Sequence, residues 1–245
     1  MFDALPVSAR PPSVTGAEMA RADRAAIEEL GVPVVALMEN AGRQVAAVAR
    51  LLLGGSVAGR RIVALCGRGN NGGDALVATR HLYGWGADAR AVICGDPETL
   101  RDLPATERDA LRAIGIRVAR FAPDGPDEIA GADLLLDGLL GYGATGAPRD
   151  DVAGCIQVAN RSGIPILAVD LPSGIDPDSG VPRGIAIRAA CTVTLALPKR
   201  GLLAPAAAPL VGALVLADIG LPAAAYGRSD VSALYERGDL IRIIP

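Results

Sequence analysis

The chain has 245 residues, 51% of them hydrophobic but only 3% aromatic, and carries a net charge of −3. This apolar content excludes a disordered chain and calls for a core of Ala, Val, Leu and Ile, the composition of a parallel sheet covered on both faces. With no Lys/Arg cluster and no run of about 18 apolar residues, neither a nucleic-acid footprint nor a membrane-spanning helix is expected.

Taken in chain order, MFDALPVSARPPS lacks the apolar stretch of a signal peptide, so a cytoplasmic location is expected. Thr15-Gly16-Ala17-Glu18 has the form of a capping box and predicts a helix to about Leu30, stopped at Gly31. Pro33 suits the first turn of a second helix that runs through LMENAGRQVAAVARLLL to Gly54-Gly55. After Gly59 the pattern alternates. RIVALC (61–66) reads as a buried strand, followed by a glycine-rich loop and a helix from about Asp74 to Tyr83. ADARAVIC (87–94) is a strand, Pro97 to about Ile114 a helix, and RVARF (117–121) a short strand. ADLLLDGLL (132–140) is a strand ending near Asp137, Asp150–Arg161 a helix, and IPILAVD (164–170) a strand. CTVTLAL (191–197) and ALVLADI (213–219) complete the sheet. Alternating strands and helices without a linker or repeat predict one α/β domain over residues 1–245, a three-layer α/β/α Rossmann-like sandwich with a mostly parallel sheet.

Three segments fall at carboxyl ends of strands, where such sheets gather ligands. The first, Gly67-Arg68-Gly69-Asn70-Asn71-Gly72-Gly73-Asp74, joins a strand to a helix. Its glycines allow close backbone approach to a phosphate at a helix N-terminus. Gly67-x-Gly69-x-x-Gly72 satisfies the dinucleotide fingerprint, with Asp96 at the distance of a ribose-binding acid. The Lys-Ser/Thr of a P-loop is missing, which argues against an NTPase. A tight glycine turn without a ligand is the plain alternative. In the second segment Asp137 ends a strand, as a ligand or a loop cap, ahead of Gly141-Tyr142-Gly143-Ala144-Thr145-Gly146; Asp133 reads as an exposed strand-start residue. In the third, Asp170 ends an apolar strand, where a carboxylate is costly unless paired, and Ser173 follows. Ser173 lacks the G-x-S-x-G context and His81, the only histidine, reads as a helix-surface or packing residue, so a Ser-His-Asp hydrolase is not indicated. Asn71, Asp137 and Ser173 offer oxygen ligands from three loops, a set that suits a hard cation. The four cysteines have no C-x-x-C spacing and argue against zinc; Cys66, Cys94 and Cys191 read as small buried hydrophobes in a reducing compartment.

In this order the segments resemble the NAD(P)H-hydrate epimerase family, the YjeF N-terminal domain. The resemblance rests on Leu37-Met38-Glu39-Asn40-Ala41-Gly42, Asn70-Asn71-Gly72-Gly73-Asp74, Leu136-Asp137-Gly138-Leu139-Leu140-Gly141, Val169-Asp170-Leu171-Pro172-Ser173-Gly174 and Leu197-Pro198-Lys199-Arg200-Gly201, and spans about Thr15 to Gly220. Ala75 departs from the glycine expected there, and Tyr142–Thr145 varies the second loop. The resemblance implies an isomerase that interconverts the R and S epimers of NADHX and NADPHX, nicotinamide nucleotides hydrated at C6, for a partner dehydratase that acts on one epimer. It implies that Asn70, Asn71, Gly72, Gly73 and Asp74 bind the substrate phosphates, and that Gly141, Tyr142, Gly143, Ala144, Thr145, Gly146 and Ala147 form a second substrate loop. Asp170 contacts the hydrated ring and is the candidate acid/base, and Asn71, Asp137 and Ser173 hold potassium (K+). It further implies a homodimer, with the apolar N-terminal helices as a candidate interface, and lets Leu240–Pro245 read as the start of a linker to a fused dehydratase domain. The competing readings are a non-catalytic nucleotide- or protein-binding module of the same fold, and an ordinary NAD-dependent dehydrogenase resting on the fingerprint and Asp96.

Overall fold

The structure, a computed structural model, describes residues 2–122 and 128–244; Met1 and Pro245, the ends of the two terminal segments read above, lie outside the described residues. Its strands are β1 (Val7–Ser8), β2 (Arg61–Cys66), β3 (Asp88–Ile93), β4 (Val118–Arg120), β5 (Leu134–Gly138), β6 (Ile166–Val169), β7 (Cys191–Leu195), β8 (Ala213–Ala217) and β9 (Leu240–Ile243). They form one sheet in the order β1-β9-β8-β7-β6-β5-β2-β3-β4, parallel throughout except for the antiparallel β8–β9 pair. The α/β fold and its mostly parallel sheet are as expected from the alternating pattern. The sheet continues past β8, however: β9 and β1 add an edge, so Leu240–Ile243, read as linker, is a strand.

The apolar strands bury side chains alternately on two faces. Ile62, Ala64 and Cys66 of β2 enter one cluster with residues of α2 (Val34–Leu52), α3 (Asn70–Gly84) and α4 (Asp102–Ala113). Val63 and Leu65 enter the other, under α5 (Asp150–Arg161). The period of two in side-chain direction therefore produces the three layers.

The first helix, α1 (Gly16–Arg24), starts on the expected capping box: the Thr15 hydroxyl accepts from Glu18 N at 3.1 Å, and Glu18 accepts from Thr15 N at 2.7 Å. It runs on through a π-helical turn, Ala25–Glu29, and Gly31 takes a φ of 71°. The segment from Pro97 is broken into a 3₁₀ turn, Pro97–Thr99, and α4. The largest departure is at α3, which begins at Asn70 rather than Asp74. Much of the glycine loop is thus the first turn of a helix. Tertiary packing overrides the poor helix propensity of glycine there.

Candidate active site

Strand order reverses at β2, which pairs with β3 on one side and β5 on the other. The loops leaving β2 and β5 therefore open a crevice at a topological switch point, the usual ligand position in such sheets. Two glycines permit the close approach. A Cβ on Gly67 would lie 1.9 Å from Leu139 O, and one on Gly72 would lie 2.1 Å from Gly67 O. Gly73 packs on Met38, and its N–H is bonded to Gly69 O at 3.1 Å. Gly69, the N-cap, offers no side-chain bond, so the preceding N–H groups at the start of α3 remain open to an anion.

A cavity of about 950 Å³ occupies this crevice. Its walls include Gly67–Asn71, Asp74, Gly141–Ala144, Asp170 and Lys199, with Met19, Asp23 and Met38 from α1 and α2. The structure thus brings together Asn70, Asn71, Asp74, Gly141, Tyr142, Gly143, Ala144 and Asp170. Gly72, Gly73, Thr145, Gly146 and Ala147 do not line it; the two glycines serve as packing positions behind the loop. Arg183, which pairs with Asp176 at 2.6 Å, donates to Ala144 O at 2.6 Å and ties the second loop to the segment after β6.

Asp137, Ser173 and Asn71 meet around Leu140. Ser173 donates to Asp137 from its N at 2.8 Å and from its hydroxyl at 2.6 Å. Leu140 N donates to Ser173 Oγ at 2.9 Å, and Asn71 Nδ2 donates to Leu140 O at 3.0 Å. Asp137 is fully buried with no basic side chain bonded to it among the described residues. Burial pushes its carboxyl up to about 6, against the lowering effect of the Ser173 hydrogen bonds. A buried carboxylate among oxygen donors and without a cationic neighbour fits a hard monovalent or divalent cation.

Across the cavity, Asp170 follows β6 with a φ of 68°, a left-handed conformation that Asp tolerates better than most residues. Its carboxylate is paired with Lys199, whose Nζ also donates to Leu195 O at 3.0 Å. Both residues are buried, Lys199 to 1% exposure. The Lys199 ammonium lies 5.5 Å above the Tyr142 ring, and the Tyr142 hydroxyl donates to Asp23. Burial raises the Asp23 carboxyl, against the Tyr142 bond. Burial likewise holds Asp74 well above the ordinary carboxylate range, reinforced by Asp170 and Asp23 and opposed by Lys199. Three carboxyl groups thus share the field of one ammonium, and burial drives Asp74 and Asp23 toward their protonated forms.

Lys199, Asp23 and Arg68 are absent from the sequence-based site. Lys199 had a signal, being the only lysine of the chain and part of the last motif. Asp23 had none, since its role depends on how α1 folds over the loops. His81 sits on α3, 2.8 Å from Glu39 and 5.9 Å from the Trp85 ring, outside the cavity, as a packing residue. Asp96 accepts from Glu98 N at 3.0 Å and caps the 3₁₀ turn. Asp133 bonds Arg60 and Arg61 N at the start of β2. All four cysteines are buried and free, and burial pushes the Cys191 thiol up to about 12. Ala75 fills space beside Gly138, where a Cβ would lie 2.5 Å from it.

The same residues carry the kinship of the chain. The family described as YjeF-related protein N-terminus matches residues 34–201. The chain is 44% identical over 214 residues to the bifunctional NAD(P)H-hydrate repair enzyme Nnr of Pyrobaculum aerophilum, a match spanning 86% of this chain and 42% of that one. It is 39% identical over 216 residues to the NAD(P)H-hydrate epimerase of Dehalogenimonas lykanthroporepellens, covering 88% and 85%. Against the bifunctional relatives the chain spans about two fifths of their length. The crystal structure of yeast ynu0 shares the fold, with a TM-score of 0.74 over 84% of this chain at 23% identity. With the motifs, the sheet and the match over residues 34–201 in agreement, the chain belongs to the YjeF-related N-terminal family.

Proposed function

We propose that the chain is an NAD(P)H-hydrate epimerase that interconverts the R and S forms of NADHX and NADPHX. The observation that carries the reading is the buried Asp170–Lys199 pair facing an anion-ready helix start across one cavity. The start of α3 takes the pyrophosphate, which sets the hydrated ring against Asp170, Lys199 and Asp74. C6 of that ring is a hemiaminal carbon. Protonation of its hydroxyl, with Asp170 as the acid/base, lets water leave as the ring nitrogen lone pair forms a planar iminium. Water then returns to the opposite face and gives its proton back to Asp170. Between the two steps the Asp170 carboxylate stabilises the cation, and Lys199 and the Leu195 N–H hold that carboxylate in place. No electron is gained or lost overall.

Asn71, Asp137 and Ser173 would hold a potassium ion, which would neutralise the buried Asp137 and lock the loop after β5 to Ser173. A dehydratase partner, a cytoplasmic location and a homodimer belong to the same proposal. Leu30, ahead of α2, and Val35, in its first turn, are 47% and 52% exposed and suit the dimer interface. The test is incubation with one purified NADHX epimer, with R/S interconversion followed by chromatography. Conversion is expected in the wild type and abolished in Asp170→Asn with nucleotide binding largely kept. Absence of conversion in the wild type refutes the epimerase, and near-normal turnover in Asp170→Asn refutes the assignment of Asp170.

A further inference from the structure

A second cavity, of about 370 Å³, adjoins the first and shares Arg68, Gly69 and Asn70 with it; Thr99, Arg101 and Asp102 complete its main walls. The Arg68 and Arg101 guanidinium groups are exposed and make no hydrogen bond or ion pair among the described residues. They face one carboxylate in that cavity, Asp102. Arg68 reaches across the end of β3: a Cβ on Gly95 would lie 3.6 Å from its Cδ and 3.9 Å from its Nε.

In a dinucleotide held at a strand–glycine loop–helix unit, the adenosine ribose lies over the end of the neighbouring strand. An acid there receives the ribose 2′-hydroxyl, whereas an arginine accommodates a 2′-phosphate. Here the acid in that position, Asp96, is engaged by Glu98 N at 3.0 Å and interacts with Arg108. The free groups at the end of β3 are the arginines. A pyrophosphate on the start of α3 would lead the adenosine half of the substrate past Arg68 into this cavity.

We propose that Arg68 and Arg101 form a subsite for the 2′-phosphate of the adenosine ribose, so that NADPHX is preferred over NADHX; the assignment rests on the epimerase reading above. A phosphate dianion gains charge-assisted, bidentate contacts from such guanidinium groups. Either one is worth on the order of tenfold in affinity.

Calorimetric titration with 2′,5′-ADP and with 5′-AMP isolates the 2′-phosphate. The wild type should bind 2′,5′-ADP about a hundredfold tighter, and Arg101→Ala should cut that preference to about tenfold. Arg101→Lys should retain part of the preference, because the charge stays while the fork geometry goes. In turnover, the ratio of kcat/KM for NADPHX to that for NADHX should fall about tenfold in Arg101→Ala. Arg101 is exposed, so the variant should melt with the wild type. Equal affinity for the two nucleotides in the wild type, or an undiminished preference in both Arg68→Ala and Arg101→Ala, overturns the subsite. Failure of the wild type to convert either hydrate sinks the epimerase reading instead, and the calorimetric ratio still decides whether the 2′-phosphate is recognised.

Discussion

Lys199→Met is the most informative perturbation of the site. Lys199 is 1% exposed and Asp170 4%, so neither charge has solvent to fall back on. In the variant the Asp170 carboxylate keeps the Leu195 N–H at 3.3 Å but loses its cation. Breaking a buried pair from one side costs about 3–5 kcal/mol, because the remaining charge is left uncompensated. At a urea slope of about 3 kcal/mol per molar, the unfolding midpoint should drop by roughly 1–1.7 M. Asp170→Asn strands the ammonium in turn, though Leu195 O still accepts from it at 3.0 Å. The double variant Asp170→Asn/Lys199→Met removes both charges, and should cost less than the sum of the single variants by about 2 kcal/mol. Urea titration followed by circular dichroism measures all four proteins. A Lys199→Met midpoint indistinguishable from that of the wild type, or strict additivity in the cycle, refutes the pairing.

Two further predictions concern the frame around the site. Gly72→Ala places a methyl 2.1 Å from Gly67 O, so the β2–α3 loop must move; a loss of about 1–3 kcal/mol is expected, with weakened binding of 5′-AMP, and wild-type melting and affinity together would contradict it. Asp176 is held down to about 2, first by the Ser179 N–H, with help from Arg183 and Asp178 N. A carboxyl depressed in the fold adds stability that is complete above its ordinary value of 3.8 and is lost as pH falls toward 2. Urea midpoints of the wild type should therefore decline between about pH 4 and 2 more steeply than those of Asp176→Asn; parallel declines would show that Asp176 contributes nothing.

Sequence alone was enough to place Asp137 and Asp170 at strand ends and to read the alternation that makes an α/β sheet. Apolar runs such as RIVALC and CTVTL are buried on both faces, a property of the segment itself. The Thr15–Glu18 cap and the helix Asp150–Arg161 are likewise local, with their signals inside a few residues. What needed the tertiary structure depends on partners far along the chain. The Asn70–Gly73 turn is helical because Gly67 and Met38 receive its bare backbone, against its own propensity. Leu240–Ile243 is a strand because β8 and β1 flank it, and four residues carry no pattern of their own. The order β3-β2-β5-β6-β7 sets Asn71 beside the Asp137–Ser173 pair and Lys199 against Asp170, residues 29 apart in sequence. That pairing, and the two unbonded arginines beside the loop, follow from strand order and loop closure. Neither is written in any local window, because a charge acquires its partner only when the sheet brings the ends of its strands together.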